Sequence, residues 1–394
     1  MLPLPVTPMG HDRSIRQTNR MVILSLLRQY GPCSRKEIAE RTGLSQPSVS
    51  VIVRELLHDD LVREVGRGAS SGGRRPVLVD INPSAHYVLG VILESDRIAC
   101  AVADLSGRMV ATDTIEVSTR SGDGALTLLT RVLKEVMNRS NLPSDRLLGI
   151  GVGVPGIVRP ESGRVRRAPG VGWWTDVAVR DWLEKHLGIP TVVENDVNLM
   201  ALGEFAQGAG RGARCLVLMY VGTGIGAGIV VEGRLFRGAT NAAGEIGYLP
   251  LGPEVERIAG ETGFGVFEQQ FSARAVAQFL DQQGWNPGPR PVAELLRAAK
   301  ERPIMREYLE WLIRSWAYGI ATVVSVLDPD CVLLAGDAAD IGDEGVAKVR
   351  SMLTRILPEV PTIQLAELGE RAGLVGAVHV VLNNQAGYRH SSVH

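Results

Sequence analysis

The sequence predicts an α/β protein of two unequal units, a small helical head followed by a large domain of alternating strands and helices. Three observations predict it. The first sixty residues hold three short helix patterns separated by Gly and Ser punctuation, two strand-like runs follow around a Gly-Arg loop, and from about Asn82 strand and helix patterns alternate. A length of 394 residues gives room for two or three compact units.

Composition narrows the class. Hydrophobic residues make up 45% of the chain and charged residues 22%, enough apolar material for a large core. No run approaches a membrane span, and the first residues lack the apolar stretch of a secretory signal. Cys33, Cys100, Cys215 and Cys331 are scattered, forming neither a CxxC pair nor a disulfide framework, so a reducing cytoplasm is the expected compartment. The net charge of −1 hides an asymmetry: residues 1–82 hold twelve Lys/Arg against eight Asp/Glu, net +4, which leaves −5 for the rest. A basic head on an acidic body points to a nucleic-acid partner for the head.

In the head, Ser14-Ile15-Arg16-Gln17 has capping-box spacing, and an apolar run from Met21 to Leu27 ends at Gly31. A second box, Ser34-Arg35-Lys36-Glu37, opens a helix that stops at Gly43. Ser45 caps a third helix, with Pro47 tolerated in its first turn. Val49, Ile52, Val53 and Leu56 follow helical spacing and face inward. The opposite face carries Pro47, Ser50, Val51 and Arg54, with Gln46 and Ser48 near the amino-terminal end. Hydroxyls, an amide and a methyl-bearing side chain suit reading of the major groove. Strands at Leu61–Val65 and Pro76–Val79 flank a loop containing Gly72-Gly73-Arg74-Arg75, where Arg74 and Arg75 can reach phosphates or enter a minor groove. Together these elements predict a winged helix-turn-helix over 1–82. Such units also mediate protein contacts; the polar helix face and the basic loop occurring together favour DNA.

The second unit spans 83–394. Val88–Leu93, Ile98–Asp104 and Met109–Val117 read as a three-strand meander with a turn at Asp104-Leu105-Ser106-Gly107. A helix near Gly124–Asn138 follows, then strands Leu148–Val154 and Thr191–Glu194, helix Val197–Ala209, and strands Cys215–Tyr220 and Ala227–Val231. A long helix near Met305–Val326, a strand Cys331–Ala335 and a helix near Ala372–Asn383 complete the pattern. A meander followed by βα units describes a ribonuclease-H-like, actin-like fold of two lobes. The smaller lobe is expected over about 83–196 together with the C-terminal helix 372–384, and the larger over about 197–371.

The motifs in this unit are Gly151-Val152-Gly153-Val154-Pro155-Gly156, Glu194-Asn195-Asp196-Val197-Asn198, Val221-Gly222-Thr223-Gly224-Ile225-Gly226-Ala227-Gly228, and Gly238 through Ala243-Gly244-Glu245-Ile246-Gly247. With the winged helix before them, in this order and over nearly the whole chain, they resemble the ROK family of repressors, open reading frames and sugar kinases, and within it the repressor branch. The resemblance implies a sugar site. Asp196 matches the family's general base, Asn195, Glu245 and Glu268 match hydroxyl-binding positions, and Tyr248 stands where the family has a His that contacts sugar and zinc.

The same comparison implies lost chemistry. Family kinases carry Asp-x-Gly-Gly-Thr as a first phosphate loop; here Ile92-Leu93-Glu94-Ser95-Asp96 stands there, and two carboxylates repel a phosphate. The loop Gly222–Gly228 persists, either as a phosphate contact or, the favoured reading, as a tight hairpin. Leu333-Leu334-Ala335-Gly336-Asp337 replaces a Gly-Gly pair near the adenosine position. Ala259, Glu261 and Val266 occupy the places of three zinc thiolates, so no zinc and no other cofactor is expected. The expected protein is a homodimeric or higher-order repressor that binds an inverted-repeat DNA operator and responds to a neutral sugar effector, without enzymatic activity. A regulator answering to a protein partner instead, and an active ATP-dependent sugar kinase, remain the rival readings.

Overall fold

The computed structural model describes residues 9–69, 75–94, 96–117, 121–140, 142, 144–159, 162–167, 176–250 and 264–384. The head comprises α1 (Met9–Tyr30), β1 (Cys33–Ser34), α2 (Arg35–Thr42), α3 (Gln46–His58), β2 (Val62–Arg67) and β3 (Val77–Ile81), its strands forming an antiparallel sheet in the order β1-β3-β2. α1 begins five residues before Ser14, so that serine lies inside the helix and not at its cap. The two later caps are as expected from the sequence. Ser34 Oγ accepts from Glu37 N at 3.2 Å while Glu37 Oε2 accepts from Ser34 N at 2.7 Å, and Ser45 Oγ accepts from Ser48 N at 3.3 Å.

The smaller lobe holds β4 (Tyr87–Leu93), β5 (Arg97–Asp104), β6 (Met109–Glu116), α4 (Gly122–Arg139), β7 (Leu147–Val154), a short hairpin β8 (Ile157–Val158) and β9 (Val165–Arg167), α5 (Val179–Leu187) and β10 (Thr191–Asn195). Its sheet runs β10-β7-β4-β5-β6, parallel from β10 to β4 and antiparallel beyond. α6 (Asp196–Gln207) then leads into the larger lobe: β11 (Cys215–Val221), β12 (Ile225–Val231), β13 (Arg234–Leu235), α7 (Val266–Phe271), α8 (Ala273–Gln282), α9 (Pro291–Glu301), α10 (Pro303–Leu327), β14 (Cys331–Gly336), α11 (Gly342–Leu353) and β15 (Thr362–Leu365). This sheet runs β13-β12-β11-β14-β15, with β11, β14 and β15 parallel.

The chain ends by crossing back. α12 (Arg371–Leu382) packs on β4 and β7 of the smaller lobe and lies against α6 along its length. Two glycines permit this approach: a Cβ on Gly203 of α6 would overlap the carbonyl oxygen of Ala372, and one on Gly376 of α12 would overlap that of Leu199. Core residues of the head, among them Leu24, Leu27 and Leu56, form one continuous apolar cluster with Val378, Val381 and Leu382 of α12. The core therefore runs through the boundary near residue 82.

His379 of α12 is buried beside this contact. Gln207 Nε2 donates to His379 Nε2 at 3.0 Å and to the carbonyl of Gly107, in the β5–β6 turn, at 3.1 Å. Burial, with the Arg28 cation adding to it, pushes the imidazole down to about 3 from 6.5. The unfolded chain thus takes up a proton that the folded chain refuses between those values. Stability conferred by neutral His379 is complete above about pH 6.5 and declines as pH falls towards 3. Urea midpoints measured at pH 7 and pH 5 are expected to separate further in the wild type than in His379→Gln; equal separations would exclude His379 as the responsible group.

Candidate DNA interface and ligand cleft

The recognition helix is built as its sequence predicts. Val49, Ile52, Val53 and Leu56 are buried, whereas Gln46, Pro47, Ser48, Val51 and Arg54 are exposed and Ser50 is half-buried. Ser48 shares its hydroxyl with the cap, 2.8 Å from Ser45 Oγ, so part of its hydrogen-bonding capacity serves the helix. Arg54 bonds to no carboxylate among the described residues. The acids on α3 are engaged from behind: Arg16 and Arg20 of α1 pair with Glu55, and Arg20 also pairs with Asp59. These pairs dock α1 on α3 and draw negative charge away from the reading face. They span 35 to 39 residues, and no local pattern announces them.

In the wing, Gly66 interrupts the β2–β3 register and Gly68 N donates to Pro76 O at 2.9 Å. Arg75 is exposed at the base of the loop; Arg74 lies outside the described residues. Arg63 and Arg67 are exposed along β2, two further cations that the sequence reading passed over.

The candidate ligand site lies at the junction of β10 and α6. Asn195 caps α6, its Oδ1 accepting from Asn198 N at 3.0 Å, and its Nδ2 donates to Gly156 O at 3.0 Å. That explains both motifs structurally, since the Gly-Val-Pro-Gly turn and the Asn-Asp corner hold one another. Asp196 follows at the first turn. Burial, reinforced by the nearby carboxylates of Glu94 and Glu245, raises its carboxyl to about 7. Glu245 precedes a 3-10 turn, Ile246–Tyr248, which leaves Tyr248 38% exposed at the rim.

Glu268 is placed differently from its neighbours. It is 6% exposed, Oε1 accepts from Gly265 N at 2.7 Å and Oε2 from Ile225 N at 3.2 Å. Both oxygens therefore hold the glycine hairpin against the start of α7, a backbone role that the motif does not reveal. Glu194 does comparable work on the other side. Only 2% exposed, it accepts from Arg237 Nε at 2.6 Å, from Asn198 Nδ2 at 3.0 Å and from Asn195 N at 3.0 Å. The Arg237–Glu194 pair thus pins the loop leading to Glu245 onto the Asn195–Asp196 corner. Glu194 stands in the quoted motif, but its partner is 43 residues away.

The stretch that the resemblance aligns with the kinases' first phosphate loop is acidic. Glu94 N donates to Arg97 O at 2.9 Å in the tight β4–β5 turn, and Arg97 is shared by Glu94 and Glu370. Across the cleft the Tyr220 ring lies along the ends of β11 and β14, where a methyl added at Gly222 or Gly336 would come within 2.7 Å of it. Burial and the nearby Asp340 raise Asp337, just after β14, to about 6. Among the described residues no group of three His, Cys, Asp or Glu can hold a metal ion, and no helix is long and apolar enough to cross a membrane.

The ROK family's sequence profile matches residues 88–384, three quarters of the chain. The chain belongs to the ROK family. A winged helix-turn-helix DNA-binding profile matches residues 16–63. The xylose repressor of Caldicellulosiruptor bescii is 27% identical over 397 residues, covering 96% of this chain and 99% of that one. The DNA-binding transcriptional dual regulator NagC of Escherichia coli is 28% identical over 353 residues, covering 86% and 85%. A solved ROK family transcriptional regulator, a homologue of the E. coli MLC protein, superposes with a TM-score of 0.81 at 23% identity over 96% of this chain and 99% of that one. In this ROK chain, a DNA-reading head on a sugar-kinase-like body is the build of a sugar-responsive repressor.

Proposed function

We propose that this ROK protein is a cytoplasmic, homodimeric repressor that binds an inverted-repeat operator through α3 and the wing and is controlled by a neutral sugar held in the cleft. Asn195, Asp196 and Glu245 form the ligand corner, Tyr248 borders it, and Glu268 keeps the glycine hairpin in place beneath it. The observation that carries the reading is the buried Asp196 carboxyl at the start of α6, held in place beside the Asn195 cap, with the Glu94–Arg97–Glu370 cluster standing where the family's kinases carry their first phosphate loop. Carboxylate oxygens are suited to accepting hydrogen bonds from sugar hydroxyls, and a carboxyl held near neutrality can also donate. Glu94 and Asp337, at the positions of the phosphate loop and the adenosine pocket, would repel a triphosphate, so the site is assigned to binding and not to phosphoryl transfer.

The relatives named for xylose and N-acetylglucosamine set the first ligands to try. D-xylose and N-acetylglucosamine, each with its phosphorylated form, should be titrated in a thermal-shift assay, since a ligand of the native state raises the melting temperature. A neutral sugar is expected to raise it in the wild type but not in Asp196→Ala or Glu245→Ala, and ATP with that sugar should give no turnover in a coupled assay. A shift that persists in both variants would move the effector elsewhere, and turnover abolished by Asp196→Asn would make the protein a kinase.

A further inference from the structure

α12 touches both functional ends of the molecule. At its amino-terminal end Glu370 lies 3.6 Å from Arg97, in the turn aligned with the kinases' first phosphate loop. At its other end Arg28, in the last turn of α1, donates from Nη2 to Leu382 O at 3.0 Å and to Asn383 Oδ1 at 3.4 Å. A guanidinium there meets the carbonyl end and the negative pole of α12. Between these ends α12 is locked to α6, the helix that begins with Asp196, by the glycine contacts and by Gln207 on His379. α1 is in turn fixed to the recognition helix by Arg16 and Arg20.

We infer that Arg28 is the positioning residue through which the state of the cleft reaches the recognition helix. α6 and α12 have no room to slide past one another, so a ligand that moves the Asp196 corner moves both helices as one body. The Arg28 bonds tie α1, and with it α3, to the carboxyl end of that body. The sugar as the natural input rests on the function proposed above; the mechanical link does not. Coupling of this kind is reciprocal, so DNA on α3 must be felt at α12 and α6.

That reciprocity allows a test without any sugar. An operator duplex is first selected from a random DNA pool with the wild-type full chain. Hydrogen exchange is then followed by mass spectrometry with and without this duplex. In the wild type, DNA is expected to change exchange in α3, in the last turn of α12 and at the start of α6. In Arg28→Ala the change in α3 should remain and the changes in α12 and α6 should be lost, with Arg28→Lys, which keeps a cation within reach of Leu382 O, restoring part of them. In Gln207→Ala, which leaves the glycine contacts between α6 and α12 in place, the changes should persist in both helices. Identical exchange patterns in the wild type and Arg28→Ala would overturn the inference. So would a head in Arg28→Ala that exchanges freely without DNA while Arg28→Lys does the same, because Arg28 would then only hold the head folded. Failure of every sugar to bind would refute the proposed effector and leave this outcome unaffected.

Discussion

Replacing Arg237 with alanine is expected to destabilise the protein by about 2–3 kcal/mol and to abolish the thermal shift produced by sugar. Removing one partner of a fully buried ion pair costs roughly 3–5 kcal/mol, and the lower figure follows because Arg237 remains 37% exposed. The loss falls on Glu194, a buried carboxylate then left with only neutral donors. It also frees the loop before Glu245 from the Asn195–Asp196 corner, so affinity and stability should fall together. The double variant Arg237→Ala with Glu194→Gln removes the stranded charge and should recover part of the stability without recovering the sugar response. Urea unfolding and sugar titration of the two variants check this. Wild-type stability in Arg237→Ala would show that the pair contributes nothing.

The second large effect concerns DNA. Arg54→Ala should weaken operator binding by about 1–3 kcal/mol if its guanidinium reads a base edge. Arg74→Ala with Arg75→Ala should lower the slope of log affinity against log salt by about one to two units, as loss of one or two phosphate contacts requires. Neither change should lower the melting temperature, because Arg54 and Arg75 are exposed and Arg54 bonds to no carboxylate among the described residues. Fluorescence anisotropy at several potassium chloride concentrations separates the two contributions. Unaltered affinity and unaltered slope in both arginine variants would remove α3 and the wing as the interface.

What was legible in the sequence was what local chemistry determines. Ser34 with Glu37 and Ser45 with Ser48 interact over three residues, and those helix starts are where the spacing puts them. Ser14 shows the limit of the same signal, because a serine three residues before a glutamine looks alike inside a helix and at its cap. β1 is two residues long and is a strand only through its pairing with Val79 and Leu78, which no period can reveal. At the candidate ligand site, motif positions singled out Asn195, Asp196 and Glu245 as candidates but did not reveal that Glu268 bonds to main-chain amides. Nor could they identify the ion pairs that set the geometry, since Arg20 with Asp59 and Arg237 with Glu194 join residues about forty positions apart.

The closure of the core by α12 also bears on how the protein is made. Leu24, Leu27 and Leu56 leave the ribosome early, yet Val378, Val381 and Leu382 complete the cluster around them, and Arg28 waits 354 residues for the carbonyl it binds. The reading head therefore stays unfinished, with apolar surface uncovered, until residues 371–382 have been synthesised. A chain cut short before residue 371 would lack α12 on both the head and the smaller lobe. Such a fragment is exposed to aggregation and proteolysis, and premature termination should deplete the repressor instead of releasing a free DNA-binding head able to occupy operators out of control.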